Sequence, residues 1–246
     1  MMRRVGTIGY KANKFLRIMR SRMLRRALCE YHVAAGVEHL CVLSQLPACT
    51  TVIDIGANRG QFALAVRHLL PGASIHSFEP LPGPGKVFGK LFADDAMVHL
   101  RPVAIGRKKK RAVIHISGRD DSSSLLPISE VQADLFSGTA EVGRSTIDVG
   151  PLSYFLDTEQ IRAPALLKVD VQGYELEVLA GSESMIDRFS WVYVECSFVE
   201  LYEGQAFADE VIAWLREHGF RLRGIYNMAY DALGISVQAD FLFERH

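Results

Sequence analysis

Four carboxylates stand at or near the carboxyl ends of four short apolar runs. They are Asp54 in Thr51–Ile55, Glu79 after Ser74–Phe78, Asp170 in Ala165–Val171, and Glu195 in Ser190–Cys196. Runs of this length, bounded by turn-forming residues, read as buried strands. Ligands of open α/β sheets bind outside the carboxyl ends of the strands. Four acids on that rim are hard to explain as core packing. A carboxylate there repels phosphate and suits a cationic or hydroxyl-bearing ligand. Glu79 follows Asp54 by 25 residues and ends the second strand, where an acid accepts hydrogen bonds from a ribose diol. Lys168 and Asp170 point to one face of their strand, a costly placement unless the two are paired or functional.

The elements that must position these groups begin with Thr51-Val52-Ile53-Asp54-Ile55-Gly56-Ala57-Asn58-Arg59-Gly60. A buried strand leads into a glycine turn, and Gln61–Leu70 follows with apolar residues at helical spacing. Strand, turn and helix start together make a nucleotide-binding shape. The middle glycine of a dinucleotide G-x-G-x-x-G fingerprint is missing, because Ala57 and Asn58 occupy that region. An ordinary strand–turn–helix connection is the plain alternative.

Three stretches carry a resemblance: Asp54-Ile55-Gly56-Ala57-Asn58-Arg59-Gly60, Phe78-Glu79-Pro80, and Lys168-Val169-Asp170-Val171-Gln172-Gly173-Tyr174-Glu175-Leu176-Glu177-Val178-Leu179-Ala180-Gly181. Their order and spacing resemble the FkbM family of S-adenosylmethionine-dependent methyltransferases over roughly residues 50 to 200. The family commonly has Glu where this chain has Gln172. The resemblance implies a class I, Rossmann-like α/β fold. It would have a seven-stranded, mostly parallel sheet, an antiparallel C-terminal hairpin, and here an N-terminal helical extension. It implies S-adenosylmethionine as cofactor, with Gly56, Ala57, Asn58 and Gly60 around the methionine part and Glu79 and Pro80 at the ribose. Val103 and Ala104 would lie beside the adenine, and Asp54 and Asp170 complete the cofactor set. An alcohol acceptor needs a general base within reach. Asp170 and Glu195 are the candidates, with Lys168 orienting Asp170 or stabilising an alkoxide. The alternative for these three is a structural ion-pair network. His76, His99 and His115 are other candidate bases or strand-face residues. No metal-ligand set stands out.

The chain has 246 residues and no net charge, but the charge is uneven. Residues 1–29 carry nine Lys or Arg and no acid, leaving 19 bases against 28 acids in the rest. Residues 1–48 read as a basic helical extension and 49–246 as the catalytic domain. Within residues 13–28, Phe15, Met19 and Met23 lie four apart among arginines. This amphipathic pattern suits packing on the body, a second subunit in a homodimer, or an anionic membrane surface contacted through residues 1–28; nucleic acid is the least favoured partner. Residues 31–47 suggest a second helix. Cys29, Cys41, Cys49 and Cys196 show no paired spacing and read as reduced thiols. No apolar run is long enough to cross a membrane, and the leader lacks the apolar core of a secretory signal. A cytoplasmic protein, or one peripheral at the inner membrane surface, is expected.

Downstream, Leu81–Gly85 reads as a breaker-rich loop before a helix over Lys86–Phe92. Met97–Ile105 reads as a third strand. Arg107–Arg111 reads as the charged turn of a hairpin, either solvated or steering an acidic ligand. Arg119–Leu126 is a serine-rich loop at cofactor, acceptor or surface. Residues 127–145 read as a mobile segment over the site. Helices are expected over Leu152–Leu156, Glu175–Ile186 and Ala208–Glu217, and strands over Arg221–Tyr226 and Val237–Phe243 with a long turn between. The expected function is O-methyl transfer to a hydroxyl of a sugar, glycolipid or polyketide-like product. The acceptor is a small molecule or a lipid-linked glycan. The competing readings are a nicotinamide-dependent oxidoreductase and a non-catalytic module that binds cofactor or membrane.

Overall fold

The computed structural model describes the backbone of residues 7–246 and the side chains from residue 14 onward. Arg3 and Arg4 of the basic leader, and the side chain of Lys11, lie outside the described residues. Helices α1 (Thr7–Arg20) and α2 (Arg22–Tyr31), a 3-10 turn (Val37–His39) and α3 (Leu40–Leu43) precede β1 (Thr51–Ile55). Then come α4 (Gln61–Leu69), β2 (Ser74–Phe78), α5 (Pro82–Leu91), β3 (Val98–Arg101), β4 (Ala104–Ile105) and β5 (Lys110–Ser117). They are followed by α6 (Glu130–Leu135), β6 (Glu141–Gly150), α7 (Leu152–Phe155), β7 (Ala165–Val169), α8 (Glu175–Gly181) and β8 (Trp191–Ser197). The chain closes with α9 (Ala208–Glu217), β9 (Phe220–Tyr230) and β10 (Ser236–Arg245).

The main sheet has seven strands in the order β3-β2-β1-β7-β8-β10-β9. Its first five strands are parallel, and β10 and β9 form the antiparallel hairpin at one edge. This is the class I methyltransferase arrangement. Every residue of β1 and β7 is buried, as two-sided parallel strands require. One face packs α8 and α9 through Leu167, Val178, Leu179, Val211 and Leu215. The other packs α4 together with the segment before β1, through Phe62, Val66, Leu24, Ala27, Leu43 and Leu46.

Several expectations change. The helix expected over 13–28 breaks at Ser21, whose extended backbone and hydroxyl cap α2 at the Leu24 N–H. Its apolar stripe is split: Ile18, Leu24 and Ala27 are buried, whereas Phe15 and Leu16 are exposed. The helix expected over 31–47 is only the turn at Val37–His39 and the single turn of α3. Pro82–Gly85 is the first turn of α5 rather than a loop. A proline at the first helical position loses no hydrogen bond, since those N–H groups have no partner anyway. The third strand stops at Arg101, before Pro102, and Ala104–Ile105 joins a second sheet of order β4-β6-β5. The basic run does not turn a hairpin, because β6 lies between β4 and β5 and pairs with both. Residues 127–145 are not a loose segment: they hold α6, capped by Ser129, and the start of β6. The helix expected to Ile186 ends at Gly181 and continues as a 3-10 helix from Glu183. The β9–β10 connection is short, spanning residues 231–235.

Because Leu24 is fully buried, in one apolar cluster with Phe62 and Val66 of α4 and Phe88 of α5, the segment before β1 is part of the core. Leu24→Ala is expected to lower unfolding free energy by about 2–5 kcal/mol, and Phe15→Ala by less than about 0.5 kcal/mol. Urea denaturation of both variants checks this; equal small losses would mean that the segment is not docked.

Candidate active site

The turns that follow β1 and β7 touch. Gly56 has φ +80°, and a Cβ there would lie 1.8 Å from the Asp170 carbonyl oxygen, so only glycine fits. Gly56 and Ala57 donate their N–H groups to the Phe78 carbonyl, and Asn58 donates its N–H to Glu79 Oε2 at 2.9 Å. The Leu81 N–H donates to Glu79 Oε1 at 2.7 Å. Glu79 is thus fixed beside the first turn, although β2 itself ended one residue earlier.

Beneath Gly56 lies Lys168, 4% exposed. Its ammonium stands 3.1 Å from Asp54 Oδ1 and 3.6 Å from Asp170 Oδ2, and donates to the Gly56 carbonyl at 2.8 Å. Burial disfavours the charge, but Asp54 and Asp170 outweigh it and push the Lys168 pKa above its ordinary value. Asp54 is fully buried, and its second oxygen accepts weakly from Ser77 Oγ at 3.5 Å.

Asp170 is half-exposed and sits in a third constellation, centred on Gln172. That residue has φ +59° and precedes Gly173 at +93°. The Gln172 amide donates to Asp170 Oδ1 and Glu195 Oε2, both at 2.8 Å, and accepts from Tyr202 Oη at 2.7 Å. Glu195 takes a second amide, from Gln238 at 2.8 Å. Burial, then Asp170 and Asp240, raise its pKa well above the carboxylate range. Glu175, buried at the start of α8, accepts from the N–H groups of Val171 and Gly173, and burial pushes it up to about 7.

These turns wall a cavity of about 220 Å³. Among the expected site residues, Gly56, Ala57, Asn58, Glu79, Pro80, Val103, Ala104, Lys168 and Asp170 line it. Asp54, Gly60 and Glu195 do not. Asp54 lies under the turn as the counter-ion of Lys168. Gly60 faces away, since its Cβ would meet the Phe92 and Phe88 rings at 2.8 and 3.0 Å. Glu195 stands behind Gln172 with both oxygens held by amides. His76, His99 and His115 are absent from the lining as well. His76 stacks on His99 with 5.0 Å between ring centres, and burial pushes it down to about 4; His115 pairs with Glu141 at 2.7 Å. The Arg119–Leu126 loop does reach the cavity, through Asp120, Asp121, Ser123, Ser124 and Leu125. Glu38 and His39 also line it, and Tyr202 and Gln238 hold Gln172 and Glu195; nothing in the local patterns of these four marks them.

The model of the methyltransferase FkbM domain matches residues 54–222. The chain belongs to the FkbM methyltransferase family. It is similar to the methyltransferase sdnD of Sordaria araneosa, 27% identical over 74% of this chain and 78% of that protein. It is also similar to the 31-O-demethyl-FK506 methyltransferase FkbM of Streptomyces tacrolimicus (28%; 69% and 72%) and the 2-O-methyltransferase NoeI of Sinorhizobium fredii (29%; 63% and 66%). Among solved structures, it is similar to TehB from Haemophilus influenzae (TM-score 0.49, 9% identity, 89% of this chain and 66% of that one). Another is Streptococcus pneumoniae Sp1610 in complex with S-adenosyl-L-methionine (TM-score 0.49, 10%; 85% and 72%).

As an FkbM-family member the protein is an S-adenosylmethionine-dependent methyltransferase, which sets aside the nicotinamide and non-catalytic readings. The residues present fit that cofactor. The Glu79 carboxylate is held by backbone N–H groups, leaving lone pairs for a ribose diol. Phe78, Val103, Ile105, Ile114, Leu125 and Ile147 supply an apolar wall for a base. Asp170 offers a half-exposed carboxylate to a cationic group.

Two outcomes follow from this electrostatics. Lys168→Met leaves Asp54 buried and uncompensated, and is expected to cost about 3–5 kcal/mol of stability. The double variant Asp54→Leu/Lys168→Met recovers most of that loss in denaturant titrations. Glu79 is the second case: burial pushes its pKa up to about 7 from an ordinary 4.5. Folded protein then holds a proton that unfolded chains have lost. Stability is fully present below about pH 4.5 and falls as pH rises through about 7. Glu79→Gln removes up to about 3 kcal/mol of that fall, read as a flatter slope of unfolding free energy between pH 4.5 and 8. An unchanged slope would contradict the assignment.

Proposed function

We propose that this enzyme is an O-methyltransferase acting on a hydroxyl of a sugar, a glycolipid or a polyketide-like product. Bound in the cavity, S-adenosylmethionine supplies a methyl group on a sulfonium whose departure needs no further activation. The protein's part is alignment and exclusion of water. Glu79 holds the ribose hydroxyls, the turn at Gly56–Asn58 admits the amino acid part, and Asp170 pairs with a cationic group.

The observation that carries the acceptor class is the charge of the cavity lining. Glu38, Glu79, Asp120, Asp121 and Asp170 contribute carboxylates, and Lys168, the one Lys or Arg of the lining among the described residues, is buried and committed to Asp54. Such a lining repels phosphates and nucleic acid and suits a neutral polyhydroxylated molecule. The printed names of two relatives, a 31-O-demethyl-FK506 methyltransferase and a 2-O-methyltransferase, support oxygen as the acceptor atom. A lipid-linked acceptor is compatible with Phe15 and Leu16, exposed beside Arg17 and Arg20. No helix among the described residues is long and apolar enough to cross a membrane.

Calorimetric titration with S-adenosylmethionine is expected to give a micromolar Kd, weakened at least about tenfold in Glu79→Ala, in line with loss of hydrogen bonds to a charged group. Label from methyl-tritiated S-adenosylmethionine is expected in octyl glucoside or other neutral polyols of a panel and not in 2-phenylethylamine, which has no hydroxyl. Transfer to the amine alone would refute O-methylation, and no binding would refute the cofactor assignment.

A further inference from the structure

One imidazole among the described residues lines the cavity, and it lies before the matched family domain. His39 closes the turn Val37–His39. That turn is tied to the start of α4 by the Gly36 N–H donating to the Gln61 carbonyl at 2.8 Å. The ring meets Phe62 and Tyr193 edge-on, at 5.2 and 5.6 Å between centres. Its Nδ1 is 3.0 Å from Tyr193 Oη, and Tyr193 Oη donates to Asp240 Oδ2 at 2.8 Å. Asn227 Nδ2 donates to the same Asp240 oxygen at 2.7 Å.

Two acceptors face His39 Nδ1, Tyr193 Oη at 3.0 Å and Asp240 Oδ2 at 3.5 Å. Asn227 Nδ2 lies 3.4 Å away and gives its proton to Asp240 at 2.7 Å. A phenol has one proton; with that of Tyr193 given to Asp240, the cluster suits the tautomer that carries its proton on Nδ1. Nε2 is left with a free lone pair and makes no hydrogen bond to the described residues. An imidazole oriented through one nitrogen by a buried hydroxyl and carboxylate, with the other nitrogen open, is the arrangement of a general base. Asp170 is less suited, because its oxygens face the Gln172 amide and the Lys168 ammonium.

We propose that His39 is the general base for the acceptor hydroxyl, with Tyr193 and Asp240 as positioning residues. This rests on the O-methyltransferase reading. The hydroxyl proton passes to Nε2 as the oxygen bonds the methyl carbon, and the electron pair of the broken C–S bond stays on sulfur, leaving a neutral thioether. Product release returns the proton to solvent.

A fixed cation at this position has a consequence independent of turnover. The ammonium of His39→Lys repels a sulfonium but not the thioether of S-adenosylhomocysteine. The ratio of the Kd for S-adenosylmethionine to that for S-adenosylhomocysteine is expected to rise roughly three- to tenfold over the wild type in the full chain, as for two unit charges at partly screened separation. Other charged or titratable groups around the ring are Asp240, Tyr193, Glu38 with its partner Lys14 at 2.8 Å, and, on the cavity wall, Asp170, Lys168 and Glu79. They are common to both ligands and cancel in the ratio. His39→Asn keeps a donor towards Tyr193, adds no charge and is expected to leave the ratio within about twofold of the wild type. With the acceptor that the panel yields, His39→Asn is expected to lower kcat about 10²–10³-fold, leaving KM for S-adenosylmethionine within about twofold. A wild-type ratio in His39→Lys, or wild-type kcat in His39→Asn, would overturn the proposal while leaving the methyltransferase assignment standing. No S-adenosylmethionine binding by the wild type would overturn both.

Discussion

The buried pair Asp54–Lys168 is the constraint on which the site depends. The two residues face each other across the pairing of β1 and β7, both shielded from bulk solvent. Neither tolerates removal of the other, since an unpaired buried charge is far costlier than the pair. The same ammonium reaches the Gly56 carbonyl, so the ion pair also sets the path of the turn after β1. Gly56 then packs on the Asp170 carbonyl closely enough to exclude any side chain. Strand pairing, charge neutralisation and turn shape are one coupled arrangement.

Around that centre, acids are crowded. Burial raises the pKa values of Glu175, Glu195 and Asp240, and the Asp170 charge adds to it; the chain manages the repulsion with neutral donors. Gln172 gives one N–H to Asp170 and the other to Glu195, and its carbonyl accepts from Tyr202. Gln238 and Asn227 do the same for Glu195 and Asp240. A carboxylate at position 172 could not donate to either acid. The glutamine therefore does the bridging work, and its left-handed backbone aims it there.

The cavity is completed by two parts outside the parallel sheet. The β4-β6-β5 sheet brings Ile114 and Ile147 to the apolar wall. The segment before β1 brings Glu38 and His39 to the opposite side, while its apolar residues join the core of the main sheet. The additions therefore supply the walls of the cavity away from the turns after β1 and β7.

What the sequence by itself determined is what short-range pattern encodes. Apolar runs of five residues, glycines at turns and acids at strand ends were enough for the parallel strands, the family and the turns that line the cavity. The hairpin at the sheet edge was legible for the same reason. Tertiary structure alone decided the rest. Asp54 and Glu195 share the motif position of Glu79 and Asp170, but solvent access is set by what packs over them, and both end up behind the cavity. Gly60 turns its hydrogen towards Phe88 and Phe92, a contact 28 or more residues away. The β6 strand crosses between β4 and β5, so a pairing that looked local is long-range. His39 acquires its orientation from Tyr193 and Asp240, 154 residues and more along the chain; no local periodicity records a hydrogen bond made across that distance.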